Sequence, residues 1–105
     1  MIYQPCGWAL VKISDPNVFY KVFAVWRGGY TTSDSWRMNS GVISVTEDEE
    51  YFYFKGDSGS IYQCYKESYG ELGLYGRGVI DSIVENSKGL VEPYYDMPDI
   101  MSITW

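Results

Sequence analysis

A chain of 105 residues with 46% hydrophobic and 18% aromatic side chains can bury the core of one domain, residues 1–105, and is too short for two. Its net charge of −6 is uneven, with four cations against two anions in residues 1–46 and four against twelve in residues 47–105; such an acidic balance excludes general nucleic-acid binding, which needs clustered lysine and arginine to displace counterions from phosphates. Histidine is absent and the two cysteines, Cys6 and Cys64, are distant in sequence, which excludes the usual zinc sets and any serine chemistry that relies on an imidazole base.

The first element is "WALVKI", residues 8–13, where alternation predicts a strand. "SDPNV" supplies a turn, and "VFYKVFAVW", residues 18–26, returns as the second strand of a hairpin. On that second strand Val18, Tyr20, Val22, Ala24 and Trp26 form a wholly apolar face, the expected core face, while Phe19, Lys21, Phe23, Val25 and Arg27 form a mixed one. "WRGGYTTSDSWRMNSG", residues 26–41, follows as a loop. "GVISVT", "YFYFK" and "SIYQCYK" then predict three more strands, separated by the acidic turn "EDEE" and by "GDSG".

The period changes in "GVIDSIVENSKG", residues 78–89, where Val79, Ile80, Ile83 and Val84 form one helical stripe and Asn86, Ser87 and Gly89 suit the C-terminal end. The tail contains Pro93 and Pro98 and allows only short extended pieces, "IMSITW" serving as an edge strand. The expected fold is α+β, mainly β: a five-stranded antiparallel meander sheet or partial barrel with one short C-terminal helix. No stretch approaches the roughly 18 apolar residues of a membrane span, and "MIYQPCGWAL" lacks the charged start and apolar run of a signal peptide, so a soluble cytoplasmic protein is expected, its cysteines acting as small buried hydrophobes.

Apparent catalytic motifs do not hold together. "GDSGS", residues 56–60, matches four residues of the surround of a chymotrypsin-like nucleophile, but without a base its serine has nothing to take its proton, and aspartate and glycine are ordinary turn residues. "EDEEY" has carboxylates without the spacing of a calcium loop, and "GRG" and "GELG" do not match phosphate-binding loops. A non-enzyme without cofactor is expected.

Two segments carry recognition chemistry instead. In the first, Trp26, Tyr30 and Trp36 offer flat rings, Arg27 and Arg37 planar cationic forks, and Asp34, Ser35, Asn39 and Ser40 hydrogen bonds; of these Trp26, Tyr30, Asp34, Trp36, Arg37 and Asn39, with Ser58 and Ser60, are the candidate ligand- or partner-binding residues. The loop also has a structural reading, with Trp26 as core, Trp36 as a cap on the sheet end and Arg37 with Asp34 as an internal pair, while Tyr30, between Gly-Gly and Thr-Thr, is expected to be exposed. The second is acidic and rich in tyrosine: Glu47, Asp48, Glu49 and Glu50 form a candidate partner face, and Tyr62, Tyr65, Tyr69 and Tyr75 suit either an interface or ordinary sheet faces.

The runs "GGYTTSDSWRMNSGV" and "DSGSIYQCYKESYG", with their Trp-Arg-x-x-Ser-Gly and Ser-Gly-Ser-x-Tyr segments, resemble small accessory proteins of tailed bacteriophages over roughly residues 26–70. The resemblance lends no functional residue; it implies action in a host cytoplasm on a host defence component. The leading expectation is a non-catalytic, phage-type binding protein that inhibits a host protein by steric block. One rival is a sponge that sequesters a nucleotide or other anionic small molecule in a pocket around Arg37. Another is a small structural component of a virion, and a tyrosine-rich surface also suits homo-oligomers.

Overall fold

The computed structural model describes residues 1–28 and 33–105. In chain order the strands are β1 Ile2–Tyr3, β2 Gly7–Ser14, β3 Val18–Trp26, β4 Ser35–Met38, β5 Val42–Glu47, β6 Tyr51–Gly56 and β7 Ile61–Tyr65, followed by helix α1 Gly73–Asn86 and strand β8 Val91–Tyr94. The hairpin β2–β3 forms as its alternation demands, in antiparallel register from Gly7↔Val25 to Ser14↔Val18. The segments β5, β6 and β7 likewise form consecutive antiparallel pairs.

The single meander or partial barrel is replaced by two four-stranded sheets, ordered β1-β7-β6-β5 and β4-β3-β2-β8. The reason lies in β2 and β3, which are apolar on both faces and so need cover on both. Trp8, Leu10, Val22 and Ala24 meet Phe52, Phe54, Tyr62 and Cys64 of the other sheet. Ala9, Val11, Phe23 and Val25 meet Leu72 and Ile80 of the helical layer. Phe23 and Val25 are thus as buried as Val22 and Ala24, and the face read as mixed is a second core face. The molecule is a three-layer stack: α1, then the middle sheet β4-β3-β2-β8, then the outer sheet β1-β7-β6-β5.

Trp8 anchors the inter-sheet core. Its ring is fully buried, lies edge-on to Tyr69 at 4.7 Å and 5.3 Å from Phe54, and its Nε1 donates to the Tyr65 carbonyl at 2.7 Å, so the one polar atom of a large apolar group is satisfied.

Helix α1 begins at Gly73, five residues before the expected start at residue 78, because glycine-rich "GLYGRG" disguises its first turns. Gly76 is required there. A Cβ at this position would lie 2.7 Å from Val25 Cγ1, so only glycine lets the helix approach β3 this closely. The C-terminal end is as anticipated: the Ser87 hydroxyl donates to the Val84 carbonyl and accepts from Val91 N–H, and Gly89 takes a positive φ of 85°.

The tail departs from expectation. "IMSITW" forms a short 3₁₀ turn, Ile100–Ser102, not an edge strand; Ile100 is buried and the Trp105 ring lies 5.9 Å from Phe54 and 5.3 Å from Tyr20, closing the core. The edge strand forms at β8, where Pro93 faces Val11 and its missing N–H costs no ladder bond on the free side. Cys64 is buried as expected, whereas Cys6 is exposed; both are free thiols. Among the described residues no helix is long and apolar enough to cross a membrane.

Candidate functional site

The segment 26–41, read as a loop, is half strand. β4 pairs with β3 in the register Trp26↔Ser35, Val25↔Trp36, Ala24↔Arg37 and Phe23↔Met38. This splits the candidate pocket, because successive side chains of a strand point to opposite faces. Ser35 and Arg37 share the Ala24 face, toward the outer sheet. Trp36 goes the other way, its ring stacked on Phe23 at 5.6 Å and 21°, and 40% exposed at the sheet edge.

The remaining candidates take structural places. Asn39 is buried at the corner where the chain leaves the middle sheet for β5: its Oδ1 accepts from Val22 N–H at 2.9 Å and its own N–H donates to the Val22 carbonyl at 3.3 Å. Asp34 Oδ1 accepts from Gly28 N–H at 3.1 Å and does not pair with Arg37. Ser58 and Ser60 lie in the β6–β7 turn, where Ser58 N–H donates to Ser40 Oγ at 2.9 Å and the Ser60 carbonyl accepts from Gly56 N–H at 2.9 Å. Tyr30 lies outside the described residues.

What the fold does assemble is a shallow cleft of about 320 Å³ lined by Tyr3, Trp26, Ser35, Trp36 and Arg37. It sits at the seam between the layers, since β1 is the edge of the outer sheet and β4 the edge of the middle one. The Arg37 guanidinium lies 4.7 Å from the Tyr3 ring centroid and its Nη1 donates to the Tyr3 hydroxyl at 3.2 Å. Trp26 is fixed by its Nε1, which donates to the Gln4 carbonyl at 2.9 Å. Tyr3, a member of a two-residue strand, had no periodic signal to mark it.

The acidic segment forms the β5–β6 hairpin tip, and its four carboxylates are not equivalent. Asp48 organises the turn: Oδ1 accepts from Glu50 N–H at 2.9 Å and Tyr51 N–H at 2.8 Å, and Oδ2 from the Tyr53 hydroxyl at 2.6 Å. The Tyr53 hydroxyl and the two backbone donors hold the Asp48 carboxyl below its ordinary range. Glu47 pairs with Lys66 at 3.2 Å. Glu49 and Glu50 keep their carboxylates exposed and unpaired among the described residues, bordering a depression of about 380 Å³ with Asp48, Tyr51 and Tyr53.

Beside this tip lies the outer face of the outer sheet. Alternation turns Phe52 and Phe54 into the core and Tyr51, Tyr53 and Lys55 outward, where they face Tyr65, Gln63 and Ile61 of β7. The Tyr51 ring stands 5.5 Å from Tyr65 and 6.2 Å from Tyr53, forming a continuous tyrosine row. Tyr65 and Tyr75 are exposed, whereas Tyr62 is core and the Tyr69 hydroxyl donates to the Tyr94 carbonyl while accepting from Leu10 N–H. Tyr51 and Tyr53 were legible as the polar-tipped half of "YFYFK", a signal overshadowed by the neighbouring acidic run.

Chemically, the cleft offers a cationic fork beside aromatic walls, and the outer face offers phenol rings beside free carboxylates. Among the described residues no group of three or more metal-ligating side chains is brought together. No family model, curated protein or solved structure matches the chain.

Proposed function

We propose that this protein is a non-catalytic binding protein that blocks a basic surface of another protein with the tyrosine row and acidic tip of its outer sheet. The observation that carries this reading is the contiguity of Tyr51, Tyr53 and Tyr65 with the unpaired carboxylates of Glu49 and Glu50 on a sheet face that α1 leaves uncovered. Tyrosines bury large, rigid area at small entropic cost, and their ring faces attract guanidinium groups. Carboxylates beside them add charge pairing and steering toward a cationic partner. Asp48, by pinning the turn, presents this surface in one conformation and reduces the cost of ordering on binding.

The resemblance to small phage accessory proteins supplies the context for the partner, a host protein whose working surface is basic, inhibited by steric block. The test is affinity capture from a host lysate with three baits: the wild-type chain, a Glu49→Lys/Glu50→Lys/Tyr65→Ala variant, and an Arg37→Ala control. A basic protein retained by the first and third baits and lost from the second supports the proposal. Retention by all three, or loss with Arg37→Ala alone, overturns it.

A further inference from the structure

We infer that the seam cleft is a second site, which binds a small planar anion, an aromatic ring bearing a phosphate or carboxylate of nucleotide type. Of the three arginines, Arg77 pairs with Asp81 at 3.3 Å and Arg27 donates to the Glu71 carbonyl at 3.0 Å. Arg37 alone meets no carboxylate or carbonyl among the described residues, and its one hydrogen bond goes to a neutral phenol. In a chain of net charge −6 carrying fourteen Asp and Glu side chains, a guanidinium held away from them all is available to an external anion.

The site is also pre-shaped. The Tyr3 ring backs the guanidinium and its hydroxyl holds Nη1, and the other N–H donors of the fork, without partners among the described residues, can make two parallel bonds to phosphate or carboxylate oxygens. Trp26, held by the Gln4 carbonyl and edge-on to Tyr3 at 6.3 Å, supplies an aromatic wall, and Ser35 on the same strand face adds a hydroxyl. A volume of about 320 Å³ falls at the lower end of small-ligand pockets, roughly 300–1,000 Å³, which suits one aromatic base with one anionic group, the size of a mononucleotide. The site is separate from the tyrosine row and does not depend on it.

The test follows the indole N–H resonances of the four tryptophans by NMR during titration with AMP, adenosine and inorganic phosphate. AMP is expected to shift Trp26 and Trp36 and to leave the core indole Trp8 in place. Adenosine, lacking the anion, and phosphate, lacking the ring, should each bind about tenfold more weakly or worse. Arg37→Gln should weaken AMP roughly ten- to a hundredfold, the range for a charged hydrogen bond. Arg37→Lys, which keeps the charge and loses the fork, should fall between and serves if the glutamine variant misfolds. Absence of any shift at about 1 mM AMP, shifts confined to other residues, or equal affinity in wild type and both variants overturns the inference.

Discussion

Gly76 and Gly78 sit two residues apart in α1 and face different surroundings, so replacing each by alanine separates packing from helix propensity. A Cβ on Gly76 would lie 2.7 Å from Val25 Cγ1 and 3.1 Å from Leu72 Cβ, whereas a Cβ on Gly78 meets nothing within 4 Å. Val25 is 2% exposed and β-branched, so burial and its restricted χ1 leave its methyl little room to yield. Overpacking of this kind costs about 1–3 kcal/mol, while alanine gains about 1 kcal/mol over glycine in a helix interior. The propensity gain is common to both variants and cancels in their difference. Gly78→Ala should therefore raise stability by about 0.5–1 kcal/mol, and Gly76→Ala should fall below it by about 1–3 kcal/mol. Thermal melts followed by circular dichroism resolve this, since 1 kcal/mol shifts Tm by roughly 4–8 °C in a domain of this size. A Gly76→Ala variant as stable as Gly78→Ala would refute the close docking of α1 on β3.

Asn39→Ala should destabilise by about 1–3 kcal/mol in urea unfolding, because it leaves Val22 N–H buried without its acceptor. Burial pushes the hydroxyls of Tyr62 and Tyr69 up to about 12 from an ordinary 10, so between those values the unfolded chain ionises while the native one holds its protons; stability must fall with rising pH across that window, and absorbance near the tyrosinate band should show those two phenols titrating together with unfolding. At the acid end the signs reverse. Asp48, lowered first by the Tyr53 hydroxyl, and Asp81, lowered first by the Tyr95 hydroxyl, stabilise the fold above the unfolded carboxyl range near 3.8 and cease to do so as pH falls through their native values; Asp48→Asn should flatten the acid limb of the midpoint-against-pH curve.

β6 and β7 were legible from apolar residues at period two, and β2, β3 and β5 as apolar, β-branched runs bounded by turn residues. β4 was not, because in "SWRM" the period is masked by serine and arginine, and its pairing depends on a neighbour, β3, whose exposed edge only the fold defines. β1 has two residues and owes its existence to β7, with which it pairs in parallel at Ile2↔Ile61. The division into two sheets was written in the doubly apolar faces of β2 and β3, but Lys21 and Arg27, which make the face of Phe23 and Val25 a mixed one, hid it. For the sites, composition pointed to Trp26 and Arg37, and topology supplied Tyr3, thirty-four residues from its arginine in sequence. Asn39 carries the same polar signature as a ligand contact, and its role as a corner staple is decided by burial, which sequence does not display.

Binding through the outer face of the outer sheet, as proposed, is tested by hydrogen–deuterium exchange on the complex with the captured basic protein. Protection on binding is predicted for residues 47–55 and 61–65, with β4 unchanged. Protection confined to β4 and the seam cleft, or spread evenly over the chain, would contradict it.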